Sequence, residues 1–440
     1  MLVIISDLHL TDGSTCETIN AGAFRQFVHT LSSQAESACW RRKPGQRQGV
    51  FEPLDRIDVV LLGDILDVMR SEHWLHTAVR PWDDAIHLVD DVSTITRRIL
   101  ARNDDAFSAL RNLNGRLPVV ASHTQETFNI PVHFHYMVGN HDWFYHLRGA
   151  GWDRLRGEIK SAMALENNSL RPFAHTLEED PVIAAICRDH RLHLQHGDIF
   201  DEVNFQKSKG RDAASLGDAI VIEILNGFPD RVRRELDLPD DHPLYLAFKE
   251  ADNIRPLISL PNYFALASHH FGTRTQQQKL MELWEDGCGP LLDLRFVHEL
   301  DKPWKLDTVD ALQAMFTLQR TLPFGMQSQI AKMVEKFSRP ETYRKEAAAE
   351  AKLKKLEADY VVYGHTHHAE MVPLAVRERE QERHEQIYIN TGTWRRVHEQ
   401  TQTLANGFPF VHYHVMTHAI FYKDDERFGR RHEMWQGSLG

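Results

Sequence analysis

The sequence predicts a soluble α/β protein, and three observations support this class. Several short apolar runs are rich in β-branched or aromatic residues, which is typical of buried strands. A long stretch of the chain has instead the pattern of helices. Of the 440 residues, 42% are hydrophobic and 26% are charged, a balance typical of soluble globular proteins. The length is enough for a large core and exceeds what one ordinary domain usually needs.

Five of the apolar runs end abruptly at residues of metal-binding types. The runs are 2–5, 59–62, 132–138, 192–195 and 360–363. Each run is too short to favour a helix, so we interpret them as strands. Binding sites in open α/β sheets lie just beyond the carboxyl ends of strands. The sequence therefore predicts that the polar residues after these runs gather at one edge of a sheet.

The side chains that follow these runs form a mixed set of oxygen and nitrogen donors. They are Asp7, His9, Asp64, Asn140, His196, His365 and His367. Such a set suits manganese, iron or zinc better than calcium, which prefers oxygen ligands alone. Asp7 and His9 are two residues apart at a strand end, so alternation places both on one face. The spacing of the last two histidines repeats that geometry.

Charge and cysteine content narrow the class of protein. The formal charge is −11 and the isoelectric point is near 6.2, which disfavours non-specific binding of nucleic acid, although a local basic groove stays possible. None of the four cysteines forms a C-x-x-C pair, which suits a reducing compartment. No signal peptide is recognisable, and no apolar run approaches the roughly 18 residues of a membrane helix. We expect a cytoplasmic protein without a transmembrane segment.

The segment 202–355 interrupts the series of strand ends. Val309, Leu312 and Phe316 recur at helical spacing, and residues 345–356 are rich in alanine, glutamate and lysine, which are strong helix formers. We therefore expect this segment to be a mostly helical insertion. The predicted division of the chain is a core made of 1–201 and 356–440, and an insertion or cap made of 202–355.

Five short motifs resemble the five sequence blocks of the calcineurin-like metallophosphoesterases, and they occur in that family's order. They are Asp7-Leu8-His9, Gly63-Asp64-Ile65-Leu66-Asp67, Gly139-Asn140-His141-Asp142, His196-Gly197-Asp198 and Gly364-His365-Thr366-His367. The motifs span residues 7–367, although the matching core is about half of the chain. Each motif alone is common by chance, so the resemblance depends on finding all five in order after predicted strands.

The resemblance implies a four-layer α/β/β/α sandwich of two mixed sheets that holds two divalent metal ions. We expect manganese, with iron or zinc as alternatives. The implied ligands are Asp7, His9, Asp64 and His367 for the first ion, and Asp64, Asn140, His196 and His365 for the second. Asp64 would then bridge the two ions.

The resemblance also implies a reaction. A hydroxide bridging the two metals would attack the phosphorus of a phosphate monoester, diester or pyrophosphate. His141 would be the general acid that protonates the leaving oxygen, and Asp67 would accept the second ring proton of His141. Asp142, in contrast, is expected to be structural.

Some motifs resemble a bacterial branch of the family that includes the UDP-2,3-diacylglucosamine hydrolases. They are Ser6-Asp7-Leu8-His9-Leu10, His196-Gly197-Asp198-Ile199-Phe200-Asp201 and Asn390-Thr391-Gly392. Two features differ from that branch: the third block has Asn140-His141 where many of those hydrolases have Asn-Arg, and the helical insertion has no counterpart. The sequence therefore predicts a phosphorylated small-molecule substrate without identifying it, and it leaves the oligomeric state open.

Two other functions stay open at this point. A nuclease acting at the same dinuclear site would need a basic track, and neither the net charge nor the insertion supplies an obvious one. A catalytically silent scaffold subunit would be marked by missing metal ligands, and none of the seven is missing. Arg70, His73, Trp74 and Trp143 lie next to the blocks, where they either line a substrate pocket or only pack.

Overall fold

The computed structural model describes residues 1–42, 49–83, 87–254, 260–292, 297, 340–379, 382–400, 410–423 and 425–439. Within these ranges the chain contains helices together with mixed β-sheets, which confirms the predicted α/β class. Among the helices described, none is both long and apolar enough to cross a membrane.

The strands form a large sheet, a smaller sheet and two short hairpin-like pairs. Their bounds are β1 Leu2–Ile5, β2 Trp40–Arg41, β3 Val50–Phe51, β4 Ile57–Leu62, β5 Leu117–Val120, β6 Thr127–Ile130, β7 Val132–Met137, β8 Leu192–Leu194, β9 Tyr360–Tyr363, β10 Glu370–Arg379, β11 Glu382–Asn390, β12 Arg396–Gln400, β13 Phe410–Phe421 and β14 His432–Leu439. The large sheet has the order β12-β13-β1-β4-β7, with β14 also paired to β13, and the smaller sheet has the order β10-β11-β9-β8.

The helices cover the sheets and make up much of the described insertion. Their bounds are α1 Ala21–Ala38, α2 His73–His76, α3 Leu88–Arg102, α4 Asp104–Arg111, α5 Ala150–Met163, α6 Pro181–Asp189, α7 Leu216–Ala219, α8 Gly227–Glu235, α9 Pro243–Lys249, α10 Leu260–Phe271, α11 Arg274–Leu292, α12 Pro340–Ala349 and α13 Ala351–Lys354. Short 3-10 helices span Trp143–His146, Leu177–Glu179, Asp198–Phe200, Glu250–Asn253 and Glu426–Gly429, and a π-helix spans Ile220–Asn226.

Parallel pairing aligns the strand ends that precede the predicted ligands. Strand β4 lies between β1 and β7 and is parallel to both, with Ile5 opposite Leu61 and Leu62 opposite Met137. Strands β8, β9 and β11 are likewise parallel to one another in the smaller sheet. All residues of β1 and β4 are buried, as expected for parallel strands covered on both faces. The carboxyl ends of β1, β4 and β7 therefore meet at one edge.

Apolar side chains from both sheets form one shared buried cluster. Leu2, Ile4 and Val60 of the large sheet belong to it together with Leu194 and Val362 of the smaller sheet. Successive residues of a strand point to opposite faces, so the alternate residues of β1 and β4 pack elsewhere, in the large cluster that includes the buried residues of α1 and α3. Alternate residues of β9 pack against α12 in a third cluster.

The described residues of the segment 202–355 contain helices and no β-strand. Whether this segment is a separate domain stays a prediction, and Val309, Leu312 and Phe316 lie outside the described residues. The helix-forming stretch 345–356 is not one continuous helix, because the backbone of Glu350 is not helical between α12 and α13, with φ −53° and ψ 131°. The Glu350 carboxylate accepts hydrogen bonds from Gln195 at 2.8 Å and Tyr363 at 2.7 Å, and these long-range contacts accompany the break.

Candidate metal centre

Three of the predicted ligands form a first group at the edge of the sheets. The Nε2 atom of His367 lies 3.4 Å from Asp7 Oδ1, and His9 Nε2 lies 3.8 Å from the same oxygen. The two histidine Nε2 atoms are only 2.9 Å apart. All three donor atoms thus surround one point, which is the arrangement required to hold a metal ion.

A second group contains the other predicted ligands. His196 Nε2 lies 3.1 Å from Asp64 Oδ2, and His365 completes a triad whose ligand atoms all lie within 4.8 Å of one another. The side-chain oxygen of Asn140 lies 2.8 Å from His365 Nδ1. These four side chains come from four blocks that are spread over about 300 residues of the sequence, and the fold brings them together.

Asp64 connects the two groups. Its Oδ2 atom lies 3.7 Å from His9 Nε2 in the first group and 3.1 Å from His196 Nε2 in the second. Its Oδ1 atom accepts a hydrogen bond of 2.8 Å from the backbone N–H of His141. Burial would raise the pKa of the Asp64 carboxyl, but the neighbouring histidines His196 and His141 hold it below its usual value. Asp64 is therefore an ionised carboxylate positioned between two groups of donors.

The backbone at this edge is strained. Five of the seven predicted ligands have a positive φ, in the left-handed region that L-residues rarely adopt: Asp7 at 51°, His9 at 45°, Asp64 at 54°, His365 at 68° and His367 at 57°. A non-glycine residue in this region costs on the order of 1 kcal/mol or more. Strained backbone concentrates at functional sites, where the surrounding structure holds side chains in directions that relaxed chains do not reach.

The glycines of the blocks leave room for the donors. A Cβ atom built on Gly139 would collide with Asp64 Oδ1 and with the His196 ring, and one on Gly364 would lie 2.5 Å from Asp7 Oδ2. Real Cβ atoms essentially never show such contacts. These glycines are therefore required because the backbone approaches the buried donors closely.

His141 and Asp67 lie beside the first group. Asp67 Oδ1 is 2.9 Å from His141 Nδ1, the pairing that the family resemblance implies, and Asp67 Oδ2 is 2.8 Å from His9 Nδ1. Asp67 thus holds two imidazole rings, of which only one was anticipated. Burial alone would lower the pKa of His141, but the nearby carboxylates Asp67 and Asp64 raise it to about 10 in the absence of metal ions.

The chemistry of the donors fits a metal. His196 Nε2 is buried and lies 3.1 Å from Asp64 Oδ2, while the other ring nitrogen of His196 lies 2.9 Å from the Leu62 carbonyl oxygen. A carboxylate oxygen and an imidazole nitrogen that face each other can both bind one cation. In the first group, two imidazole nitrogens face each other, an arrangement that a shared cation stabilises. These buried histidine and aspartate groups could therefore hold metal ions.

Two side chains near this centre, Asp201 and Asn204, were not among the site residues predicted from the sequence. Asp201 Oδ2 lies 3.2 Å from His365 Nε2 and 2.8 Å from the side-chain nitrogen of Asn204, while Asn204 Oδ1 accepts a 3.3 Å hydrogen bond from Asn140. Burial alone would raise the pKa of Asp201, but the hydrogen bond from His365 outweighs this effect and holds the pKa below its usual value. Asp201 did appear in the sequence as the last residue of the motif 196–201, but its position five residues after His196 does not by itself distinguish a metal-site residue from a turn former.

The segment 390–393, which contains the motif Asn390-Thr391-Gly392, forms hydrogen bonds to the first and fifth blocks. The Asn390 amide donates to the Gly364 carbonyl at 2.7 Å, and the Thr393 hydroxyl donates to the Asp7 carbonyl at 2.7 Å. The Thr391 hydroxyl lies 2.6 Å from the Ser6 hydroxyl. Through these bonds the segment fixes the two turns that carry four of the seven donors.

Other residues near the blocks have structural contacts. Asp142 accepts hydrogen bonds from the backbone of Gly139 and Ile65, which fixes the two loops, and burial raises its pKa to about 6. Trp74 and Trp143 are buried and stack with Phe144. These contacts favour packing over a role in lining a substrate pocket.

Comparisons with known proteins do not decide the family. No family model matches the chain, and no curated protein is a significant match. The class of protein is therefore argued from the geometry of this centre.

Proposed function

We propose that this chain is a metal-dependent phosphoesterase of the calcineurin-like class. The observation that carries the proposal is the convergence of seven donors into two groups joined by Asp64, with the His141–Asp67 pair beside them. Donors in two adjoining groups suit a pair of divalent ions, for which manganese is expected and iron or zinc are alternatives.

The packing of the two sheets supports the four-layer α/β/β/α architecture that the family resemblance implies. One buried cluster joins the two sheets, and separate clusters join the outer face of each sheet to helices. This order of contacts is the one a four-layer α/β/β/α sandwich requires. The proposal includes that architecture, with the donors at the edge where the strands of both sheets end.

Each group of donors has a distinct task in this proposal. Asp7, His9 and His367 would hold one ion, and His196, Asn140 and His365 would hold the other, with Asp64 shared. When bound, two such ions neutralise phosphoryl oxygens and make hydroxide available near neutral pH. The buried carboxylates balance the positive charge of the ions, and the strained turns keep the donors directed inward.

His141 supplies the proton that the leaving group needs. Asp67 binds Nδ1 of His141, which leaves the Nε2–H free to donate to a leaving oxygen. The carboxylates favour the charged imidazolium, while nearby metal cations would oppose it and bring the pKa of His141 down toward neutrality. Such a histidine is an effective general acid near pH 7.

The net charge of the chain favours one class of substrate over another. The net charge of −11 disfavours a nucleic acid, so a phosphorylated small molecule is the proposed substrate, and a cytoplasmic location is part of the same proposal. The full set of seven donors argues against a silent scaffold.

The test is hydrolysis of a phosphomonoester dye and a phosphodiester dye by manganese-loaded protein, with and without EDTA. We expect turnover that EDTA abolishes and added manganese restores. His141→Ala should lose most of the rate while keeping its metal content. His133→Gln is the matched control, because His133 forms a histidine–carboxylate pair with Glu166 at 3.0 Å on the part-exposed side of β7. Absence of turnover in every metal tested would disprove the proposal.

A further inference from the structure

A second group of metal-type side chains lies outside this centre. His146 is the last residue of the 3-10 helix Trp143–His146, and His175 lies just before the 3-10 helix Leu177–Glu179. Asp212 belongs to the segment between the 3-10 helix Asp198–Phe200 and α7. Three separate segments of the chain thus contribute to one small cluster.

The donor atoms of this cluster converge. Asp212 Oδ1 lies 2.6 Å from His146 Nδ1 and 3.2 Å from His175 Nε2. The two imidazole rings are 4.4 Å apart between centroids, with their planes 52° apart. The three ligand atoms lie within 4.8 Å of one another, as they do in the triads of the dinuclear centre.

These distances suit a tetrahedral zinc ion. Zinc binds histidine nitrogen and carboxylate oxygen at about 2.0–2.2 Å, so tetrahedral ligands lie roughly 3.3 Å from one another. The distance of 3.2 Å from Asp212 Oδ1 to His175 Nε2 is close to this value. The distance of 2.6 Å from Asp212 Oδ1 to His146 Nδ1 is shorter than a zinc site requires. Asp212 is 47% exposed in its side chain, and a small outward movement of that carboxylate would open the third position.

The protonation states also suit a metal. Burial and the charge of Arg211 lower the pKa of His175 to about 4, so its ring is neutral at pH 7. Burial alone would raise the pKa of Asp212, but hydrogen bonds from His146 and His175 outweigh this effect and hold the pKa well below its usual value. Neutral imidazole and ionised carboxylate are the forms that bind metals.

Burial shields this cluster from water on the side of His175, which is only 3% exposed. The His175 Nε2 atom faces Asp212 and is therefore the ring nitrogen that could bind an ion. The positive charge of Arg211 does not exclude a cation, because the Arg211 guanidinium is bonded to Asp198 at 2.6 Å and to the His175 carbonyl at 3.1 Å.

We propose that His146, His175 and Asp212 bind one zinc ion at a site separate from the dinuclear centre. Two imidazoles and one carboxylate supply three ligands, and water reaches the fourth position from the exposed side of Asp212. The ion links the first part of the segment 202–355 to the loop that follows the third block. It therefore holds that segment against the core without taking part in hydrolysis.

The test is the number of zinc ions bound per chain after metal-free protein is equilibrated with zinc and freed of excess metal. His146→Gln and Asp212→Ala should each bind one zinc ion fewer than the wild type. The difference is expected whether or not the dinuclear centre binds zinc, so it separates this proposal from the proposed hydrolase function.

His133→Gln serves as the control, because it removes a histidine–carboxylate pair that has no third donor among the residues that the structure describes. The zinc content of this variant should equal that of the wild type. Asp212 is half exposed, so Asp212→Ala should fold and gives the deciding result even where His146→Gln does not. Equal zinc content in the wild type and Asp212→Ala would overturn the proposal.

Discussion

The proposed dinuclear centre and the His146–His175–Asp212 cluster contain the same types of side chain on different kinds of scaffold. In the centre, the donors lie at the ends of parallel strands, they are almost all buried, and their backbone is strained. In the second cluster, the donors come from a 3-10 helix and two irregular segments, and the carboxylate is half exposed. Donors at the edge of a sheet are therefore held in fixed positions, whereas donors on irregular segments can shift.

The largest expected effect concerns Asp64, the only donor shared by both groups. Asp64→Asn removes the negative charge between the two sets of ligands, so both ions should bind more weakly. We expect a loss of roughly 10³-fold or more in kcat/KM together with a loss of bound metal. Steady-state kinetics and metal analysis of the same preparation measure both. Unchanged metal content would show that Asp64 does not bridge.

A smaller and more selective effect is expected at Asp67, which holds both His141 and His9. His141→Ala should reduce kcat by roughly 10²–10⁴-fold with metal affinity unchanged. Asp67→Asn should reduce the rate and also weaken metal binding by roughly 10–100-fold, because it disturbs a ligand as well as the acid. Titration with manganese compares the two variants. An Asp67→Asn variant with normal metal affinity would mean that its bond to His9 is not needed to orient that ligand.

The tight geometry of the centre can be tested at Gly139. Gly139→Ala places a Cβ atom against Asp64 and His196, so we expect a loss of about 1–3 kcal/mol in the free energy of unfolding, with reduced metal binding. Gly157→Ala is the matched control: it lies within α5, and the nearest atom to its added Cβ is Ser169 Oγ at 4.0 Å. That control should be stabilised by roughly 0.5–1 kcal/mol. Denaturant unfolding compares them, and equal effects would contradict the steric argument.

The smallest effect is expected at Asp212 in chelator-treated protein, where only its histidine contacts remain. Its pKa is depressed in the folded chain, so its stabilisation is present above the unfolded value of 3.8 and is lost as pH falls through the folded value. Because Asp212 is half exposed, Asp212→Asn should cost no more than about 1 kcal/mol at pH 7. The difference between the unfolding free energies of the two proteins, measured in EDTA, should begin to shrink below about pH 4 and should shrink further as the pH falls. A difference that grows as the pH falls below this value would refute this assignment.

The strand ends and the blocks were predictable because their signals are local. A short β-branched run followed by Gly-Asp or Gly-His identifies both the strand and the side chain beyond it, and parallel pairing brings such ends to one edge. The contact between His141 and Asp67, in contrast, was expected only from the resemblance to the metallophosphoesterases, because no local pattern relates these two residues.

The contacts that could not be predicted from the sequence are long-range, and they involve irregular segments. Asp201 meets His365 across 164 positions, and Glu350 meets Gln195 across 155, where it interrupts an otherwise strong helical pattern. Asp212 meets His146 through a loop without periodicity. No spacing rule relates such residues, so only the packed structure brings them together.

The left-handed backbone at five of the predicted ligands would affect the lifetime of the protein. Their combined conformational penalty approaches the net stability of an ordinary domain, about 5–15 kcal/mol, and divalent cations that bind only the native arrangement would offset it. Scarcity of such ions would then do more than stop turnover. It would shift the population toward partly opened chains that proteases degrade, so cellular abundance would follow metal supply.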